Sequence, residues 1–555
     1  MVHLAGQIGA GATLTEQFSG AAGHLRLACD TVPAMRRPAR WGSGILAVVV
    51  VLAVAAVAGL GASRRTSAHE RHPASALRLS AVPAGALRLT VGRAARRTIP
   101  ASFLGLSLEY PALEAYAGSD PAQINPVFLQ LIRNLSPNQA PDLRIGGDTT
   151  DWTWWPVSGV TKPGGIKYSL GPTWVRVTAG IAHQLGARLI LGVNLEADSS
   201  QLAGAEARAL IAGIGRGSIQ AVELGNEPEL YGSFTWYTTR GGQHITGRPH
   251  GYDFSDYQGD FDRIGASLPS VPLAGPATGA PKWIPELGAF LTAHPQVTVA
   301  TLHRYPLQQC YFPTSSPVYP SVAHLLAPGA SQGLANSVAS LVGVAHARHV
   351  NLRIDEMNTV SCGNGPGVAN AFVSALWALD ASFQMARVGV DGVNFHTYPG
   401  APYELFSFTH RGGHWRGSVA PEYYGLLMFA QAVPPGARLV SVSGASGSLK
   451  AWATRAPDGS VHVVLINEDT AASRTLAVRV PGVRGPATLE RLEGKAISAS
   501  TGVTLGGQAF GTSTSTGTLT GHSTQSIVDG TPDGYAVQLP RASAAMLTIT
   551  APGTA

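Results

Sequence analysis

From about residue 101 the chain alternates short, strand-like, mainly apolar runs with longer stretches in which apolar residues recur every three to four positions. The short runs are 102–108, 143–146, 188–194, 221–225, 272–275, 297–303, 352–356 and 392–396. Sequences such as ARLILGVN, IQAVELG and VTVATLH are buried-type runs rather than alternating ones, as strands covered on both faces of a parallel sheet require. Helical patterns fill the intervals, for example 203–214, 331–348 and 368–386. Eight strands alternating with helices predict an α/β fold, a (β/α)8 TIM barrel with long loops over residues 101–436. An open doubly wound sheet is the competitor, but no GxGxxG or phosphate-binding loop follows the first strand.

The pattern changes near residue 437. Short β-branched runs (LVSVS, LKAWAT, VHVVLIN, TLAVRV, AVQLP, AMLTIT) are separated by turn clusters such as Pro457-Asp458-Gly459 and Pro532-Asp533-Gly534. That spacing predicts an antiparallel β-sandwich over 437–555. Residues 86–100 have the same character and are expected to add a strand to it. The Gly/Ser/Thr tract 511–524 is expected to be a mobile loop.

Ahead of both domains, residues 41–63 carry no charge, with the apolar centre at 44–60; Arg36, Arg37 and Arg40 precede them and Arg64 and Arg65 follow. A basic flank before an apolar stretch is the grammar of a secretory signal or membrane anchor, so residues 1–65 are expected to export the chain. Ala56-Val57-Ala58 supplies a small-x-small cleavage site, which leaves secretion and anchoring both open. The long preface before the apolar stretch suggests a true start at Met35. Residues 66–85, polar and aperiodic, are expected to be a linker.

Composition narrows the function. Ten Trp, 15 Tyr and 15 Phe supply a full core, and three Cys in 555 residues exclude a disulfide-stapled scaffold. The net charge of +6 is concentrated in residues 1–71, where seven Arg face three acidic residues, a net of +4. The remainder has no basic cluster, which argues against a nucleic-acid partner. Contact with a membrane is expected only through the N-terminal segment. With Cys29 before the apolar stretch, Cys310 and Cys362 alone would enter an oxidising compartment and are expected to pair.

The chemistry sits in the carboxylates. Leu224-Gly225-Asn226-Glu227-Pro228 ends one strand, where barrel active sites form, and Pro228 forces the chain to turn there. Farther on, Arg353-Ile354-Asp355-Glu356-Met357-Asn358 ends the seventh strand. By the two-residue period of strands only one of Asp355 and Glu356 is expected to face the axis, and Glu356, nearer the carboxyl end, is the choice. Two carboxyls on different strands of one mouth suit a retaining glycosidase, one as acid then base and the other as nucleophile. Asn226 is placed to donate to a sugar 2-hydroxyl. A solvated strand-end residue is the plain alternative for each Glu taken singly.

Five strand-end clusters occur in order: Gly105-Leu106-Ser107-Leu108-Glu109-Tyr110, Leu143-Arg144-Ile145-Gly146-Gly147-Asp148, Gly225-Asn226-Glu227-Pro228, His303-Arg304-Tyr305-Pro306 and Ile354-Asp355-Glu356-Met357-Asn358. Together they resemble glycoside hydrolase family 79, the β-glucuronidase and heparanase-like enzymes, over about residues 87–550. The resemblance implies Glu227 as acid/base, Glu356 as nucleophile, and a β-glucuronidase acting on terminal glucuronides. It also implies that the loop near Tyr398 helps bind a uronate carboxylate, with an exposed rim tyrosine as the alternative.

Supporting residues are Glu109 and Asp148, as binders of sugar hydroxyls, and His303, Tyr305 and His396 at later strand ends. Glu109 could equally serve a loop salt bridge, and His303 and Tyr305 could be core. Trp152, with Trp154 and Trp155, could stack on a pyranose or close a hydrophobic lid. The 17 His show no HExxH spacing and the two-carboxylate mechanism requires no metal, so neither metal nor cofactor is expected. The rivals are another sugar (β-glucoside, β-xyloside, 4-O-methyl-glucuronide), endo-cleavage of heparanase type, and a non-catalytic carbohydrate-binding surface protein.

Overall fold

The computed structural model describes residues 82–483 and 485–550. The apolar stretch 41–63, its arginine flanks, Met35, Cys29 and most of the linker lie outside the described residues. Among the described residues no helix is long and apolar enough to cross a membrane.

Strand β1 (Leu87–Thr98) precedes the barrel strands β2 (Leu104–Glu109), β3 (Asp142–Gly146), β4 (Arg188–Val193), β5 (Ile219–Leu224), β6 (Leu273–Thr278), β7 (Val297–Arg304), β8 (Asn351–Met357) and β9 (Gly392–Thr397). Strands β2 to β9 pair in sequence order, every pair parallel, and β9 closes on β2. The closed (β/α)8 barrel is the fold the apolar runs predicted, and each run overlaps one of these strands. They are buried along nearly their whole length because helices cover the outer face.

Local signals set the helices. In α1 (Tyr110–Ala117) and α2 (Pro126–Leu135) a Pro occupies the first turn, where its missing N–H costs nothing. The Asn125 side chain caps α2 by accepting from the Val127 and Phe128 amides at 3.0 and 3.3 Å. After α3 (Pro172–Leu185), α4 (Ser200–Ile214) is capped by Ser199 and α5 (Phe254–Gly265) by an Asp253/Asp256 capping box. The α6 helix spans Leu287–Ala293. The continuous helix expected over 331–348 is broken instead. A π-turn at Gly329–Gly333 and a short turn precede α7 (Ala339–His346). At the break, the Ser337 hydroxyl bonds the Leu334 carbonyl at 2.6 Å and accepts from Arg304 at 2.9 Å, competing with helix bonds. Helix α8 (Phe372–Val388) is buried nearly all round and packs on α9 (Pro421–Ala432).

The main strands after the barrel are β10 (Arg438–Ser443), β11 (Leu449–Arg455), β12 (Val461–Asn467), β13 (Arg474–Arg479), β14 (Ala487–Glu493), β15 (Tyr535–Leu539) and β16 (Ser543–Ile549). They form one sheet in the order β14-β16-β12-β11-β10-β1-β13-β15, so β1 is inserted between β10 and β13. All pairs are antiparallel except β1 with β13. The sheet folds over an aliphatic core that includes Leu89, Val463, Leu465, Val478 and Leu547. The opposite face of β12 and β16 (Val464, Ile466, Ala544, Met546) joins the barrel core. Strand β12 is therefore apolar at consecutive positions because both its faces are covered.

The tract 511–524 is not a free loop. Thr514 exchanges two backbone hydrogen bonds with Gly417, at 2.8 and 2.7 Å, and the Asn134 side chain donates to the Gly517 carbonyl at 2.7 Å. Its small residues let the backbone lie close against the barrel.

Candidate active site

The barrel mouth is organised around one buried cation. Arg144, in the middle of β3, has a fully buried side chain and spends its donors on four neighbours. Nε donates to Glu223 at 2.8 Å, Nη1 to Glu356 at 2.6 Å and to Ser107 at 3.3 Å, and Nη2 to Asn226 at 2.8 Å. Asp355 also lies 3.3 Å from Nε. Burial opposes its charge, but these carboxylates outweigh that and raise its pKa further. Burial, and then the charge of Glu223, push the Asp355 carboxyl well up, so it is protonated. Its proton, shared with Glu223, gives partners to oxygens of both residues that otherwise have none.

That Asp355 and Glu356 both reach Arg144 corrects the expectation that only one of them faces inward. Between Ile354 and Met357, β8 has one more residue than β9, and β7 shows the same shift between Thr301 and His303. This β-bulge re-aims the end of β8 and brings two consecutive carboxyls to one side of the strand.

Glu356 is held ready by its neighbours. Its Oε1 accepts from the Tyr305 hydroxyl at 2.9 Å, its Oε2 from Arg144, and His396 Nδ1 lies 3.9 Å away. Burial disfavours its charge, yet His396, His303, Arg144 and the Tyr305 hydrogen bond together hold its carboxyl below the usual range.

Glu227 is built differently. Beyond β5, Gly225 has φ 76° and Glu227 itself φ 46°, in the left-handed region, before Pro228 opens a short 3-10 turn. A non-glycine residue there costs about 1–2 kcal/mol. The Glu227 amide bonds the Ala277 carbonyl at 2.9 Å, which helps hold that conformation. Its carboxylate Oε1 meets His303 Nδ1 at 3.0 Å. Burial lowers the His303 pKa, but Glu356 and the Glu227 hydrogen bond raise it to about 10.

Oxygens of Glu227 and Glu356 and a ring nitrogen of His303 all lie within 4.8 Å of one another. A cation could be imagined among them, but Arg144 and Tyr305 already engage both Glu356 oxygens and His303 engages Glu227. The donor set is that of a proton-carrying pair beside an anchored carboxylate.

The other predicted residues surround this pair. Glu109 accepts from the amides of Asp148 (3.2 Å) and Thr149 (2.9 Å) and from the Thr149 hydroxyl, and lies 3.3 Å from His396 Nε2. Its oxygens thus brace the turn after β3, and Gly147 allows it, because a Cβ there would strike the Glu109 carboxylate. Asp148 faces the open cleft and binds Asn226 Nδ2 at 3.3 Å. The packed wall beside its carboxyl, then Glu109, Glu227 and Glu356, push it up to about 8. His396 accepts or donates at Ser107 Oγ, 3.0 Å away. Tyr398 is half-buried, its ring 5.4 Å from that of His396 and 6.1 Å from that of Tyr403. Trp152 is half-buried with the Lys167 ammonium over its ring, whereas Trp154 is buried against Ile166 and Leu202. Cys310 and Cys362 form a disulfide, their Cα atoms 5.6 Å apart, joining the loops after β7 and β8.

Several site residues were not singled out from sequence. Arg144 stood inside a quoted motif, and a lone cation within an otherwise apolar strand was the available signal. Tyr403, 3.5 Å from the Tyr305 hydroxyl, gave none. Glu229 accepts from the Gly279 and Ala280 amides at 2.8 and 2.7 Å and is raised to about 7 by burial and by Glu227. Glu196 is raised to about 9 by burial and by Asp151.

No model of a known family matches the chain. Among solved structures it is similar to a 4-O-α-L-rhamnosyl-β-D-glucuronidase from Fusarium oxysporum 12S, solved as a Rha-GlcA complex, at 20% identity and a TM-score of 0.64 over 83% of this chain and 100% of that one. It is also similar to a GH51 arabinofuranosidase from Xanthomonas axonopodis pv. citri (15%, TM-score 0.56, 83% and 99% covered). A third is CelM2, a bifunctional glucanase-xylanase from a metagenome library (14%, TM-score 0.51, 84% and 99% covered). At these identities the likeness is one of fold.

Proposed function

We propose that the protein is an exported retaining β-glycosidase of the family 79 type that hydrolyses terminal β-glucuronides. The observation that carries the reading is the carboxylate pair: Glu227 and Glu356 oxygens lie within 4.8 Å across the mouth. Retaining enzymes place their carboxyls about 5–5.5 Å apart, inverting ones about 6.5–9.5 Å. The solved glycosidases of the same fold support the reaction class, and the Fusarium glucuronidase supports the sugar.

Glu356, kept ionised by Arg144 and Tyr305, attacks the anomeric carbon while the bond to the aglycone oxygen breaks. Glu227, hydrogen-bonded to His303, serves as the acid that protonates that oxygen. Water then attacks the anomeric carbon, returns a proton to Glu227, and breaks the ester to Glu356. Asn226, oriented by Arg144, donates to the 2-hydroxyl. The Tyr398 and Tyr403 hydroxyls are the donors offered to the uronate carboxylate.

A neutral β-glycoside is the second reading, favoured by the carboxyls of Glu109 and Asp148 lining the same cleft. Hydrolysis of matched aryl β-glucuronide, β-glucoside and β-xyloside by the chain from residue 72 separates the two. Preference for the glucuronide is expected; activity confined to a neutral glycoside would remove the uronate assignment. Glu356→Gln should lower turnover by about a thousandfold or more while sugar binding persists. Wild-type turnover by that variant would refute the nucleophile.

A further inference from the structure

Beyond Glu227 the cleft changes chemistry. On the side of β9, β2 and β3 it presents Glu109, Asp148 and His396. Over β5 to β7 its rim presents aromatic rings: Phe234 is 45% exposed and Tyr311 61%. They belong to different loops, after β5 and after β7, yet their rings meet edge to face at 6.2 Å and 88°. Single apolar side chains scattered on a surface are ordinary; here two separate loops converge to pair them.

Both loops are anchored at their bases. The Leu230 carbonyl accepts the Ser233 and Phe234 amides, each at 2.9 Å. Tyr311 follows Cys310, which is bonded to Cys362, and the Gln309 side chain accepts the Asn364 and Gly365 amides at 2.9 and 3.1 Å. Between the two loops lies the end of β6, where Gly279 packs so near Glu227 that a Cβ would be 3.2 Å from Oε1. The two loops that carry the aromatic pair therefore follow the strands on either side of β6, whose end lies against Glu227, the acid/base side toward which a leaving group departs.

Building on the glycosidase reading, we infer that Phe234 and Tyr311 form the aglycone site and select leaving groups with a flat face. The edge-to-face pairing leaves ring faces free to stack on a planar group, a contact worth up to about tenfold in binding. The anchored bases mean that little order is lost on binding.

The test compares a 2-naphthyl β-glycoside, a disaccharide with a pyranose aglycone, and the β-glycosyl fluoride of the same sugar, whose leaving group has no face to stack. Phe234→Ala and Tyr311→Ala should lower kcat/KM for the naphthyl glycoside roughly tenfold, mainly through KM, and leave the fluoride within about twofold. A parallel loss on the disaccharide extends the site to sugar aglycones; a loss on the naphthyl glycoside alone confines it to aromatic ones. Equal effects on naphthyl glycoside and fluoride, or none on either, would overturn the assignment. A wild-type protein that fails even on the fluoride would overturn the glycosidase reading itself, and this inference with it. Both residues are exposed, and unchanged thermal unfolding of the variants checks that the fold is intact.

Discussion

The barrel interior beneath the mouth and the sandwich core are both buried, and they are opposite in content. The sandwich core is apolar, built mainly from aliphatic residues such as Leu89, Val463, Leu465, Val478 and Leu547, with the Tyr535 ring among them. The barrel interior holds Arg144, Glu223, Asp355 and Glu356 in mutual contact. In the first region any apolar side chain of suitable volume serves, because the attraction is non-directional. In the second, each charge is tolerable only while its partners stay in place. Burial therefore says little about what a position will accept; the neighbours decide.

The contrast breaks most sharply at Arg144. Arg144→Met should strand Glu223 and Glu356 without their cation, destabilise the fold by about 3–5 kcal/mol in urea unfolding, and remove activity even from the folded fraction. Retained activity would show that the cation is dispensable to the nucleophile. Next, Leu465→Ala in the sandwich should cost about 2–5 kcal/mol by the same measurement and leave kcat unchanged below the unfolding transition. A drop in kcat would mean that the two regions are coupled more tightly than their contents suggest.

A smaller change sharpens the comparison within the mouth. Tyr305→Phe removes one donor to Glu356 and should lower kcat about tenfold, since a hydrogen bond to a charged group is worth about 1.5–3 kcal/mol. Because that bond helps keep the Glu356 carboxyl low, the acid limb of the pH–rate profile should move to higher pH. An unmoved limb would assign the tyrosine to packing.

The mildest effect is the pH dependence of stability. Folded, the protein keeps protons on Glu229, Asp148 and Glu196 up to about 7, 8 and 9, whereas unfolded carboxyls release them near about 4. The folded state therefore binds more protons, and stability should decline as pH rises from about 4 to about 9. His303, raised to about 10, acts in the same direction above about 6.5. Glu356 opposes them only in acid, its contribution being present above about 4.3 and lost as pH falls through its lowered folded value. Thermal unfolding that is highest near pH 5 and several degrees lower near pH 9 is expected; the reverse slope would reject these assignments.

The barrel strands were legible because a strand covered on both faces leaves consecutive apolar letters, and the Glu227 turn because Gly225 and Pro228 punctuate it. The bulge in β8 was not, since an extra residue is defined only against the two strands beside it. Arg144 could be read as a letter but not as a hub, because its partners come from β2, β5 and β8 and the loop after β5. The tract 511–524 misled for a related reason: small polar residues signal a free loop when nothing says what they lie against.

The position of β1 has a consequence in time. This strand leaves the ribosome ahead of the whole barrel, yet its antiparallel neighbour β10 begins about 340 residues later. At roughly 5–20 residues per second, that is a wait on the order of 20–70 s with an unpaired edge. The sandwich thus closes only after the barrel strands have been made, and it fastens the first described strand to strands more than three hundred residues later. A protein cut off near residue 437 would keep every barrel strand and both candidate catalytic carboxylates, and would still present β1 as a sticky, partnerless edge.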